Sequence, residues 1–149
     1  MEKTMTMKYF SIEELCRSEA ARRLGIVNRA NEEVEANLRR LVREVLDPLR
    51  EAWGGPVTVN SGFRCTQLNQ AVGGVPHSAH RFGLAADITV GSRVSNRRLL
   101  EIAARLCLPY DQLIFEHGGE WLHVSVAAEG RAPRRQLLMT KGKGCVSYR

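Results

Sequence analysis

The sequence predicts an α+β domain, a small antiparallel sheet with helices packed on one face. Two observations carry that prediction: apolar residues at helical spacing fill the first third of the chain, and short alternating segments bounded by turn residues fill most of the rest. A third bounds it, since 149 residues are enough for one ordinary hydrophobic core and show no internal repeat or low-complexity tract. One domain over 1–149 is expected, with 1–7 as a loose leader.

Ser11-Ile12-Glu13-Glu14 has the form of a capping box, so a short helix should run from Ser11 toward Cys16. Asn31 can cap the longest helix, whose apolar stripe is Val34, Leu38, Leu41, Val42, Val45, Leu46, Leu49 and Trp53, with Pro48 kinking it late. Gly54-Gly55-Pro56 stops that helix. A strand over 57–60 follows and ends in the turn Ser61-Gly62, which leaves Arg64 just past a strand end. A helix over 66–72 precedes a loop that carries His77, Ser78 and His80. Strands are expected at 84–90, 112–115, 121–126 and 136–139, and Ser95 is expected to cap a helix running through Leu108.

Arginine pairs scattered over several elements give a net charge of +6, which reads as a solvated basic surface or as attraction to a polyanion. Cys16, Cys65, Cys107 and Cys145 show no CxxC pair and no zinc-finger spacing, so the thiols read as reduced, with Cys16 and Cys107 as small core residues. No run of about eighteen apolar residues could span a bilayer, and residues 1–10 lack the apolar stretch of a signal peptide. Membrane insertion and specific nucleic-acid binding are therefore not expected. Synthesis in the cytoplasm is, and so is a monomer.

The chemistry sits on strand parity. In 84–90, Leu84, Ala86, Ile88 and Val90 fall on one face and Asp87 on the other; in 121–126, Leu122, Val124 and Val126 fall on one face and His123 on the other. Asp87 and His123 can share the open face, with His80 on the adjoining loop. Three nitrogen and oxygen ligands suit zinc and leave its fourth position for water, as catalytic rather than structural sites do.

Ser78-Ala79-His80-Arg81-Phe82-Gly83-Leu84-Ala85-Ala86-Asp87, with Glu120-Trp121-Leu122-His123 later, resembles the signature of the D-Ala-D-Ala carboxypeptidase family of zinc peptidases, which includes phage L-alanyl-D-glutamate endolysins. The pattern S-x-H-x-x-G-x-A-x-D is met at every fixed position, and a carboxylate three residues ahead of a final histidine follows. Ser61-Gly62-Phe63-Arg64 is similar to that family's S-G-[YF]-R segment, and Asp111-Gln112-Leu113-Ile114 to the strand before its second motif. The likeness runs over about 10–138 and is greatest to short, single-domain phage-type members.

The resemblance implies a hedgehog/DD-peptidase-like fold and Zn2+ held by His80, Asp87 and His123. It implies Glu120 as general base, Arg64 as the group that meets the developing oxyanion, and hydrolysis of an amide next to a D-amino acid in a peptidoglycan stem peptide. Anionic wall polymers would be reached after lysis or release. Glu116 also precedes His123 and is the alternative base; spacing favours Glu120, provided Gly118-Gly119 turns its side chain from the core toward the metal. Ser78 and Gln67 are candidate substrate contacts, and His77 and His117 are spare imidazoles. Two other readings compete. One is a cysteine peptidase using Cys65 with His80 or His123, although Cys65 shows no evident helix start or base nearby in sequence. The other is a non-catalytic wall-binding or phage structural module, which would normally have lost a ligand, the base or Arg64.

Overall fold

The computed structural model describes residues 7–148. Helix α1 (Ile12–Cys16) starts where Ser11 Oγ accepts from the Glu14 N–H, as the capping box requires. Helix α2 (Glu19–Leu24) was not expected; Ser18 caps it and Gly25 ends it in the left-handed region at φ 69°. The expected leader lies outside the described residues except for Met7, which packs against the core rather than hanging loose.

Asn31 caps α3 (Glu32–Leu41), whose stripe Val34, Leu38 and Leu41 is buried. The next turn, Val42–Leu46, widens to a π-helix before α4 (Asp47–Trp53) continues. Pro48 explains the widening: its ring and missing N–H are incompatible with an ordinary turn onto residue 44, and the extra residue per turn accommodates both. All the stripe residues from Val42 to Leu49 remain buried.

Six strands follow: β1 (Thr58–Ser61), β2 (Ala85–Thr89), β3 (Gln112–Glu116), β4 (Trp121–Ser125), β5 (Gln136–Lys141) and β6 (Gly144–Ser147). They form one sheet in the order β1-β2-β4-β3-β5-β6. Four of its pairings are antiparallel, and β3–β5 is parallel. Ala86, Ile88, Leu113, Phe115, Leu122 and Val124 project from one face into a single core with the helix stripes, giving the expected α+β arrangement. β6, whose residues are all exposed, was not expected; it carries no buried apolar face to announce it.

Both ends of the next helix lie about one turn earlier than expected. Helix α6 spans Arg93–Arg105, capped by Ser92, whose Oγ accepts from the N–H of Ser95. It stops short of Leu108 because Cys107 takes a positive φ of 55°. Cys107 is consequently exposed, not a core residue, whereas Cys16 packs at the edge of the core. Helix α5 (Thr66–Ala71) and the 3-10 turn Ala79–Phe82 flank the loop that carries Ser78.

Candidate active site

Asp87 and His123 are directly opposed across β2 and β4, and the next residue in that row is Ile114 on β3. Pairing in this register places carboxylate and imidazole on the same face, away from the helices. His123 Nδ1 lies 3.0 Å from Asp87 Oδ1. His80 arrives from the 3-10 turn, where Ser78 Oγ accepts from its backbone N–H at 3.2 Å. Gly83 ends that turn at φ 73°, and a Cβ there would meet the Val34 carbonyl oxygen at 2.7 Å, so only glycine lets the turn lie on α3.

His80 is buried, and its Nδ1 donates to the Gly62 carbonyl at 2.7 Å. A carbonyl only accepts, so the proton of the neutral ring is on Nδ1 and the lone pair is on Nε2, 3.4 Å from Asp87 Oδ2. The two imidazoles meet edge to face with centroids 5.2 Å apart. Burial alone would raise the Asp87 carboxyl, but the hydrogen bond from His123 outweighs it and holds the group far below the usual carboxylate range.

The metal fit follows from these atoms. One donor atom each from His80, Asp87 and His123 lies within 4.8 Å of the others. Tetrahedral zinc with bonds near 2.1 Å wants ligand atoms roughly 3.3 Å apart, so small side-chain adjustments suffice. The ionised carboxylate and the fixed Nε2 lone pair are the forms a metal takes, and the Gly62 carbonyl supplies the outer hydrogen bond that metal-binding histidines usually have.

Arg64 lies past the end of β1, half-buried, with Nη2 donating to Ser78 Oγ at 3.4 Å. Burial pushes its guanidinium down, and the Asp87 charge offsets only part of that. Its Nε is buried with no partner among the described residues. An orphan donor on a cation beside the triangle is a place for an oxygen of something that binds there.

The two candidate bases lie outside the triangle. His117, Gly118 and Gly119 all take positive φ, and the turn does carry Glu120 out of the core, but its exposed carboxylate accepts from Arg93 Nη2 at 3.2 Å instead of joining the three ligands. Glu116 accepts from the Thr140 hydroxyl at 2.6 Å. Ser78 is engaged by Arg64 and by the His80 turn, and Gln67 is exposed on α5 with no hydrogen bond to the triangle among the described residues. His77 is exposed, and the His117 ring lies tilted against Trp121 with centroids 5.0 Å apart. Cys65 does stand at the N-cap of α5, contrary to expectation, yet no histidine hydrogen-bonds to it among the described residues.

Sequence reading missed Asn96. Its buried amide accepts from Val90 N–H at 2.8 Å and donates to the carbonyls of Gly119 at 2.8 Å and Glu120 at 3.2 Å, tying the Glu120 turn to the end of β2. The signal was present: Asn96 falls on the same stripe as Leu99, Leu100 and Ala103, where a polar residue must find partners.

A family model described as peptidase M15 matches residues 8–125, a span that includes the triangle, Arg64 and both carboxylates. The zinc D-Ala-D-Ala carboxypeptidase of Streptomyces albus G is 47% identical over 49 residues. That stretch is 32% of this chain and 19% of the relative, so most of the relative's length has no counterpart in the match. With the family model covering most of the chain, and the ligand geometry in agreement, the chain belongs to the peptidase M15 family of zinc metallopeptidases.

Proposed function

We propose that this chain is a zinc-dependent murein peptidase that hydrolyses an amide next to a D-amino acid. The observation that carries the reading is the His80–Asp87–His123 triangle with the unpartnered Arg64 Nε beside it. The relative's printed activity supports the D-amino-acid preference. Zinc bound by the three side chains would act as a Lewis acid and lower the pKa of water to near 7.

The chain's own residues supply the rest. Arg64 directs its Nε and Nη groups at the carbonyl oxygen and stabilises the charge that grows there. Glu120 accepts the proton of the attacking water on its carboxylate and hands it to the leaving nitrogen. Its contact with Arg93 joins two side chains that are each more than half exposed, 65% and 52%. Such pairs are worth about 0.2–1 kcal/mol, so letting go of Arg93 costs little. Glu116 is the alternative base, though the Thr140 hydroxyl already holds it. The basic surface favours approach to anionic wall polymers, and action on the wall after lysis or release, as a phage-type lysin does, fits the reading.

Digestion of defined muropeptides followed by mass spectrometry tests this. Cleavage at the terminal D-Ala-D-Ala amide, the L-Ala-D-Glu amide or a cross-bridge, abolished by a chelator and restored by zinc, is the expected result. Intact muropeptides after digestion with zinc-loaded protein would overturn the reading and favour a wall-binding role.

A further inference from the structure

Asn28 lies in the loop between α2 and α3, and its amide makes three hydrogen bonds of 2.8 Å. Nδ2 donates to the carbonyls of Cys16 and Phe63, and Oδ1 accepts from the N–H of Cys65. The last two belong to the peptide groups on either side of Arg64. In an extended chain, the carbonyl of residue i−1 and the N–H of residue i+1 point to the same edge, and a neighbouring strand would normally pair with both. Beyond Ser61, where β1 ends, the Asn28 side chain does so.

The other edge is held as well. The Arg64 N–H donates to the His80 carbonyl at 3.0 Å, and the His80 ring donates to Gly62 at 2.7 Å. The Phe63 N–H donates to the Leu15 carbonyl at 2.8 Å, and a Cβ on Gly62 would fall 2.1 Å from that same oxygen. Residues 62–65 are thus gripped between the end of α1, the His80 turn and Asn28, and Arg64 is the residue whose long side chain leaves this grip for the open face. We propose that Asn28 is a positioning residue for Arg64: it fixes the Arg64 backbone relative to His80, so that the guanidinium meets the substrate carbonyl at a set distance from the metal ligands.

The inference rests on the reading of Arg64 as a transition-state contact, and the test separates the two. Asn28→Ala removes the three Asn28 bonds and leaves the others on residues 62–65; Asn28→Asp keeps the acceptor for Cys65 but sets a carboxylate oxygen against the Phe63 and Cys16 carbonyls. Each is made in the full chain, alone and with Arg64→Ala, at equal zinc content. Two quantities are measured: hydrolysis of a murein peptide, and affinity for a phosphinate analogue of D-Ala-D-Ala, which needs no turnover.

The expected result for Asn28→Ala is a fall in kcat of about ten- to a hundred-fold with KM changed by less than about threefold, as a misplaced catalytic group produces. Phosphinate affinity should fall with kcat. On the Arg64→Ala background both effects should shrink to about twofold or less, since the group being positioned is gone. If Asn28→Ala is too unstable to purify, Asn28→Asp is held to the same criteria. An effect of undiminished size without Arg64, or one confined to KM, overturns the inference and leaves Asn28 a structural bond. Wild-type protein that binds the phosphinate but cleaves no murein peptide overturns the functional reading instead, and the cycle is then decided on affinity. Protein that does neither overturns both.

Discussion

Glu116 and Glu120 are separated by what holds them. A hydroxyl at 2.6 Å keeps Glu116 in place, whereas Glu120 is held by a solvent-exposed arginine. If Glu120 moves the proton, Glu120→Gln should retain zinc and lose on the order of 10² to 10⁴ in rate, while Glu116→Gln should cost little beyond one hydrogen bond. A dead Glu116→Gln beside an active Glu120→Gln reverses the assignment and leaves the ligands untouched. Away from the site, Arg134 grips Asp111 with Nε and Nη2 and adds its backbone N–H, and these bonds hold the Asp111 carboxyl below its ordinary value despite burial. A depressed carboxyl contributes stability above its unfolded value near 3.9, and that contribution is lost as pH falls through the lower folded value. Unfolding free energies of wild type and Asp111→Asn, from denaturant melts, should therefore differ by about 0.2–1 kcal/mol at neutral pH and converge at strongly acid pH; a constant gap at every pH would contradict the pairing.

At the scale of elements, Gly83 combines a left-handed φ with a backbone carbonyl where a side chain would begin. Gly83→Ala should lose about 2 to 4 kcal/mol in denaturant melts and weaken zinc binding through the displaced His80 turn. Unchanged zinc affinity would show that the turn holds His80 without Gly83. This position also marks how far the sequence could be read. Strand parity was enough to put Asp87 and His123 on one face, because the strands are regular and one side is apolar. The α3–α4 stripe was equally legible, but the π-turn was not, since periodicity locates Pro48 without saying how the backbone yields to it. Helix α6 was placed one turn late because Ser92 and Ser95 are equally good caps, and contact with β2 decides between them. Gly62, Asn28 and Asn96 act through long-range bonds to backbone groups, which no local pattern records.

For the whole molecule, β5 joins β3 in parallel, and β5 and β6 lie beyond the 8–125 span matched by the family model. The ligands come from the other part of the sheet, on β2, β4 and the turn before β2, so the site does not need the β5–β6 hairpin for its donors. Its assembly depends instead on how β2 meets β4. Asp87 stands opposite His123, and a slip of one residue would turn one of them into the helix-packed face. A chain with the native pairing offers all three donors together, so zinc, when bound, would favour correct strand alignment during folding. Refolding from denaturant with zinc present should give a higher yield of monomeric, protease-resistant protein than refolding with a chelator, and His123→Ala should abolish that difference. An equal yield with and without zinc would mean that β2 and β4 find their alignment from the apolar face alone.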